Sequence, residues 1–224
     1  EINTGLYVCK ADVLKSLIPQ IKNENAKREY YLTDLIALAL KNKMKVEAVK
    51  SDKSRVSRGV NTLVELEQAT RIVYKRKCRD LMLEGVHILD SAFTYIEDSV
   101  SIGRGTVIEP GSFISGLTKI GENCRIEGHC QITDVEISAH TTIRWGSVLE
   151  SSRVGSRCIV GPYGRLRPES VLEDEVHIGN FVELKKTRMG RGSKANHLTY
   201  LGDAEIGSGS NIGCGTITCN YAVD

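Results

Sequence analysis

From Ile102 onward an aliphatic residue recurs every five or six positions, a spacing that fits neither a helix nor an alternating strand. The series runs Ile102, Ile108, Ile114, Ile120, Ile126, Ile132, Ile137, Ile143, Leu149, Val154, Val160, Leu166, Leu172, Ile178, Leu184, Met189, Ala195, Leu201, Ile206, Ile212, Thr218. A small residue or Val often stands four places further on, as at Thr106, Ser112, Cys124, Cys130, Val176 and Ser193. A strand with one inward aliphatic residue cannot bury a core alone, but a stack of such strands can, which predicts a β-solenoid. Four steps are five residues long (132→137, 149→154, 184→189, 201→206), and each falls between the third and first members of successive triplets. The pattern predicts a three-sided prism of seven coils with one tighter corner.

Composition agrees with a prism of this kind. Only 5% of the 224 residues are aromatic while 41% are hydrophobic, so the core is aliphatic. Residues 86–224 hold eighteen of the 21 glycines and a charge of −4, against three glycines and +6 in residues 1–85. A boundary near Gly85 follows, and the net charge of +2 argues against a polybasic nucleic-acid module. No apolar run approaches the roughly 18 residues of a membrane span, and no signal peptide is evident, so a cytoplasmic location is expected. The seven cysteines are scattered without a C-x-x-C pair, which suggests packed thiols and neither a disulfide framework nor a zinc knuckle. The opening Glu1-Ile2-Asn3-Thr4-Gly5 lacks an initiator Met, and an internal piece of a longer protein is expected.

Residues 1–85 read as α/β. Helices are predicted over residues 11–21, with Pro19 near the end, and from Thr33 onward with Asp34 in the first turn; a short strand is predicted over residues 45–49. Residues 62–83 read as one long helix stopped by Gly85. Its basic run Tyr74-Lys75-Arg76-Lys77-Cys78-Arg79 is either a phosphate grip or a solvated face.

Stacking turns sequence separation into columns. Arg167 and Lys185 each follow a third-face aliphatic residue and are 18 apart, so one should lie above the other. Two bare cations about 5 Å apart would repel by roughly 3 kcal/mol, so an anion is expected between them: Glu183, Glu169 or a bound phosphate. Gly202 continues the column and leaves a gap, flanked by His197 and Tyr200, where a ligand could enter. Partial burial beside cations would keep the His197 imidazole neutral and able to accept a proton. His87, His129, His140 and His177 form no H-x-x-x-H pair that would suggest a zinc site.

Several strings resemble one family in the same order: Glu1-Ile2-Asn3-Thr4-Gly5, Gly59-Val60-Asn61, Arg165-Leu166-Arg167-Pro168, Gly179-Asn180-Phe181-Val182-Glu183, Ser193-Lys194-Ala195-Asn196-His197-Leu198-Thr199-Tyr200-Leu201-Gly202-Asp203 and Gly215-Thr216-Ile217-Thr218-Cys219-Asn220-Tyr221. They resemble the bifunctional bacterial N-acetylglucosamine-1-phosphate uridylyltransferase/glucosamine-1-phosphate N-acetyltransferases. The resemblance implies an α/β N-terminal remnant, a long linking helix and a left-handed parallel β-helix assembled as a homotrimer. It divides the chain into the end of a nucleotidyltransferase domain (1–61), the helix (62–85) and a truncated acetyltransferase domain (86–224). His197 is implied to be the general base. Arg167, Lys185, Tyr200 and Asn211 are implied to bind glucosamine-1-phosphate, with Asn211 at another corner and a candidate for supply by a neighbouring subunit. Asn220 and Tyr221 are implied to face acetyl-CoA.

For the uridylyl half, the resemblance implies that Asn3 contacts UDP-N-acetylglucosamine and that Asn61 does so while ligating Mg²⁺. UTP would be the co-substrate. The family's glycine-rich loop and metal-binding aspartate have no counterpart in these 224 residues, so uridylyl transfer is not expected of them alone. After Tyr221 the family continues Asp-Gly, whereas this sequence reads Ala222-Val223-Asp224; a further lysine and most of the CoA pocket are expected beyond it. Two other readings remain at this point: a trimeric sugar-phosphate-binding solenoid without turnover, and a solenoid acyltransferase for another amine.

Overall fold

A computed structural model of the chain describes residues 3–50 and 59–220. It divides into two compact units, Glu1–Leu66 and Glu67–Asp224. In the first, helix α1 (Ala11–Leu17) runs into a 3₁₀ turn, Ile18–Gln20, that carries Pro19, and helix α2 (Asp34–Lys41) follows. Leu17 and Leu35 are the buried apolar side chains of this unit among the described residues, while Leu6, Val8, Tyr30 and Val49 are exposed. The predicted strand at residues 45–49 does not form. Nothing described in the unit offers it a partner strand, and an unpaired strand leaves its N–H and C=O groups to water.

Helix α3 (Leu63–Leu83) begins and ends where its signals stand. Thr62 Oγ1 accepts from the Glu65 N–H at 3.2 Å and Glu65 Oε2 accepts from the Thr62 N–H at 2.9 Å, a reciprocal capping box. Those bonds hold the Glu65 carboxyl below its usual range, the backbone N–H of Asn61 contributing most. At the other end Gly85 takes φ 97°, Val86 N–H reaches Leu81 O at 3.0 Å and Gly85 N–H reaches Met82 O at 3.2 Å. These are the two bonds of a glycine-ended helix. The basic run is a largely solvated face: Lys77 Nζ donates to Asp98 O at 2.8 Å and Arg76 lies 3.9 Å from Asp98. Cys78 and Leu81 point the other way into the core of the solenoid, and Tyr74 meets Tyr95 and Phe113 edge-on.

Beyond the helix the chain forms a parallel β-solenoid. Seven two-residue strands, from Ser101–Ile102 to Glu205–Ile206, stack as one face. The other two faces are joined into a single sheet by two nine-residue strands, His177–Lys185 and Lys194–Gly202, which run through the corner between them. Each series residue lies over its counterpart 17 or 18 residues away, as in Ile108↔Ile126, Leu149↔Leu166 and Ile178↔Ala195. From Ile102 to Leu201 all are buried; Ile206 and Ile212 are partly buried because no described coil lies above them. Ile88 and Ile96 open the stack one coil earlier than the repeat suggests, spaced eight residues apart.

The small positions hold the coils together. Thr106 Oγ1 donates to Gly121 O at 2.8 Å and accepts from Cys124 N–H at 3.0 Å. Cys124, Cys130 and Cys158 take the same place, their thiols donating to Ser138 O, Arg144 O and Glu173 O at 3.2, 3.2 and 3.0 Å. The corners carry a left-handed residue coil after coil, as at His129 (φ 57°), Gly146 (67°), Tyr163 (54°), Phe181 (54°) and Leu198 (43°). His129 and His140 are thus corner residues, and the His129 ring lies 4.6 Å from that of Trp145.

Candidate functional site

The pairings Arg165↔Glu183 and Leu166↔Leu184 set Arg167 beside Lys185, and Lys185 pairs with Gly202, so the expected column forms. Its charges are unevenly matched. Arg167 Nη1 lies 3.1 Å from Glu183 Oε1, whereas Glu169 turns to Lys186 at 3.6 Å. Lys185, half-buried, makes no ion pair among the described residues. A cation left without a carboxylate at the edge of a face is poised for an anion from outside.

The gap at Gly202 is not empty. A Cβ there would collide with the Tyr200 hydroxyl and the Asn220 amide, which fill the space themselves. Asn220 Nδ2 donates to Tyr200 Oη at 3.4 Å and also to Asp203 Oδ2. These two polar side-chain ends therefore border the cation column beside Gly202.

His197 is exposed where partial burial was expected. It sits at the corner that opens the third face, paired with Asn180 and followed by left-handed Leu198 (φ 43°), where the strand bends. Its Nδ1 lies 3.1 Å from Asn180 Oδ1. An amide oxygen only accepts, so of the two neutral tautomers this contact selects the one with the proton on Nδ1 and the lone pair on Nε2. Along one strand the order is therefore a proton acceptor at His197, a phenol at Tyr200, and the two cations beside Gly202.

Asn211 pairs with Lys194 on the second face, away from the cations. His177 and Lys194 share that column. Burial, followed by Arg144, Lys194 and His197, pushes the His177 imidazole below its ordinary range. In the first unit, the Asn3 amide donates to Tyr7 Oη at 2.8 Å and its Oδ1 accepts from Gly5 N–H at 2.9 Å. The Asn61 N–H donates to Glu65 Oε2 at 2.8 Å. No group of three or more His, Cys, Asp or Glu that could hold a metal occurs among the described residues. Tyr221 lies outside the described residues. Asn180 was missed as a partner of His197; the 17-residue separation was the signal that could have found it.

The chain is 55% identical over all 224 residues to the bifunctional protein GlmU of Bdellovibrio bacteriovorus and 51% identical over 221 residues to that of Pelobacter propionicus. The chain is homologous to GlmU along its whole length. It spans about half of these GlmU relatives, 49% and 48% of their lengths. Residues 91–195 match the family model described as the GMPPB C-terminal domain. A looser likeness joins it to a point mutant of GDP-perosamine N-acetyl transferase from Caulobacter crescentus, solved with CoA and GDP-perosamine: TM-score 0.43 and 15% identity over 67% of this chain and 65% of that one. No helix among the described residues is long and apolar enough to cross a membrane.

Proposed function

We propose that the solenoid is the acetyltransferase half of a GlmU-type enzyme, moving acetyl from acetyl-CoA to the amine of glucosamine-1-phosphate. The observation that carries this reading is that one strand, Lys194–Gly202, bears a proton acceptor at His197, a phenol at Tyr200 and the glycine that continues the Arg167/Lys185 cation column. The amine lies at His197, the sugar ring over Tyr200, and the phosphate between Arg167 and Lys185. As the amine nitrogen attacks the acetyl carbonyl, His197 Nε2 takes its proton, and the tetrahedral intermediate collapses with loss of CoA thiolate. Asn180 holds the imidazole in the tautomer this needs. In this reading Asn220 and Tyr221 would serve the acetyl-CoA side, as the resemblance implies. Asn211 belongs to the second face and would reach a sugar bound to the neighbouring copy in a homotrimer.

Uridylyl transfer, with UTP, Mg²⁺ and UDP-N-acetylglucosamine, belongs in this reading to the longer protein. Asn61 alone would offer the metal one neutral ligand, and Asn3 would lie near the acetylamino sugar. The reaction is placed in the cytoplasm, where acetyl-CoA and UTP are made.

The reading is tested by titrating glucosamine-1-phosphate into the full-length protein. Lys185→Ala should weaken binding at least about tenfold, the loss of one charge-assisted phosphate contact. Unchanged affinity with the fold intact would remove Lys185 from the phosphate site. It would also restore the competing case of an acyltransferase for an unphosphorylated amine.

A further inference from the structure

The second face carries a basic cluster that the sugar-phosphate column does not use. Ile159↔His177, His177↔Lys194 and Lys194↔Asn211 set His177 and Lys194 in one column on consecutive coils, about 4.8 Å apart. Both point outward, because the residues that follow them, Ile178 and Ala195, are buried in the core. Arg144 stands in the neighbouring lane, two coils below His177, and Ile143↔Val160 and Val160↔Ile178 bring Gly161 and Gly179 above it. Neither glycine has a side chain to stand between the guanidinium and the imidazole. Arg144 and Lys194 are close enough to act on His177: after burial, they and His197 are what oppose its protonation.

No carboxylate answers these charges. Neither Arg144 nor Lys194 makes an ion pair among the described residues, and the carboxylates of the adjoining lanes are committed elsewhere. Glu127, one coil below Arg144, lies 4.0 Å from Arg125 and accepts from Trp145 N–H at 3.0 Å. Glu175 pairs with Arg157 and Arg191 at 2.9 and 3.1 Å, and Asp174 Oδ1 accepts from Ser156 N–H at 2.8 Å. In the lane of Arg144, Asn196 stacks over Gly179, and its side-chain oxygen is shut off from water without a hydrogen-bond partner among the described residues. The polar groups of this corner are therefore left unpaired by the chain itself.

We propose that Arg144, His177 and Lys194 form a phosphate-binding site on the second face, apart from the Arg167/Lys185 column. A phosphate group there accepts from the guanidinium, the ammonium and the protonated imidazole, three charge-assisted bonds. The anion reverses the electrostatics at His177, so the imidazole gains a proton as the phosphate binds. The group is a free phosphate ion or the phosphate of an ester such as a sugar phosphate, since both offer the same oxygens. The site does not depend on the acetyl-transfer reading, which rests on other residues.

The test is the rate at which diethyl pyrocarbonate carbethoxylates His177 in the full-length protein, read from the mass of the His177 peptide at constant ionic strength in chloride. Inorganic phosphate and glucosamine-1-phosphate are titrated as protectants. Protection of His177 is expected, and Lys194→Gln and Arg144→Gln should each raise the half-protecting concentration at least about tenfold, the loss of one charge-assisted contact. Lys194 is exposed, so Lys194→Gln carries the test even where Arg144→Gln fails to fold. Protection by inorganic phosphate that persists in Lys185→Ala identifies a free ion, and protection by the sugar phosphate alone identifies the ester. No protection by either, protection that Lys194→Gln leaves unchanged, or inorganic-phosphate protection lost in Lys185→Ala would overturn the proposal. Sugar-phosphate affinity weakened in Lys185→Ala with His177 never protected would overturn it while leaving the acetyltransferase reading in place.

Discussion

Gly179 stands where the two long strands pass closest. A Cβ built on it would run into the carbonyl of Asn196, a backbone group that cannot swing aside. Gly179→Ala should therefore destabilise the solenoid by about 3 kcal/mol, the upper range for overpacking, read from denaturant midpoints. The buried thiols give a pH signature. Cys78, Cys130 and Cys158 ordinarily titrate near 9 and are raised to about 11 by burial. Between those values the unfolded chain has released protons that the folded chain keeps, so the contribution is full below pH 9 and is lost as pH rises toward 11. Cys130→Ser, which matches Ser112 and Ser147 on the same column, should flatten that decline; identical slopes would contradict it. The cation column was legible because its spacing equals one coil. That Gly202 is filled by Tyr200 and Asn220 was not, since side-chain reach does not show in spacing.

Helix α3 was readable almost to the residue because both of its ends are local chemistry: Thr62 with Glu65, and a left-handed Gly85. Glu65→Ala should lower helix content at moderate denaturant, measured by far-ultraviolet dichroism, since it empties the capping box. The strand predicted at residues 45–49 failed for the opposite reason: a strand is a pairwise object, and its own sequence says nothing about a partner. The continuous strands His177–Lys185 and Lys194–Gly202 were hidden too. Their inward residues keep the six-residue step of the repeat, so nothing in the spacing distinguishes a bent strand from two strands and a turn. That difference matters, because His197 lies within one of these strands, at the bend where it turns onto the third face.

The solenoid was visible because every coil repeats one solution: an aliphatic residue inward, a small hydroxyl or thiol bonding the next coil, and a left-handed corner. The coil built on Ile88 and Ile96 escaped, since its eight-residue step breaks the rhythm where Cys78 and Leu81 of α3 enter the core. The order from His197 through Tyr200 to the Arg167/Lys185 column needed the fold, because it depends on which face each coil presents. Its central claim is that His197 accepts the proton of the sugar amine. The direct measurement is CoA release from acetyl-CoA by the full-length protein at saturating glucosamine-1-phosphate, compared with His197→Ala. A fall in kcat of about 100-fold or more, with sugar-phosphate affinity retained, is predicted; turnover undiminished by the substitution would contradict it.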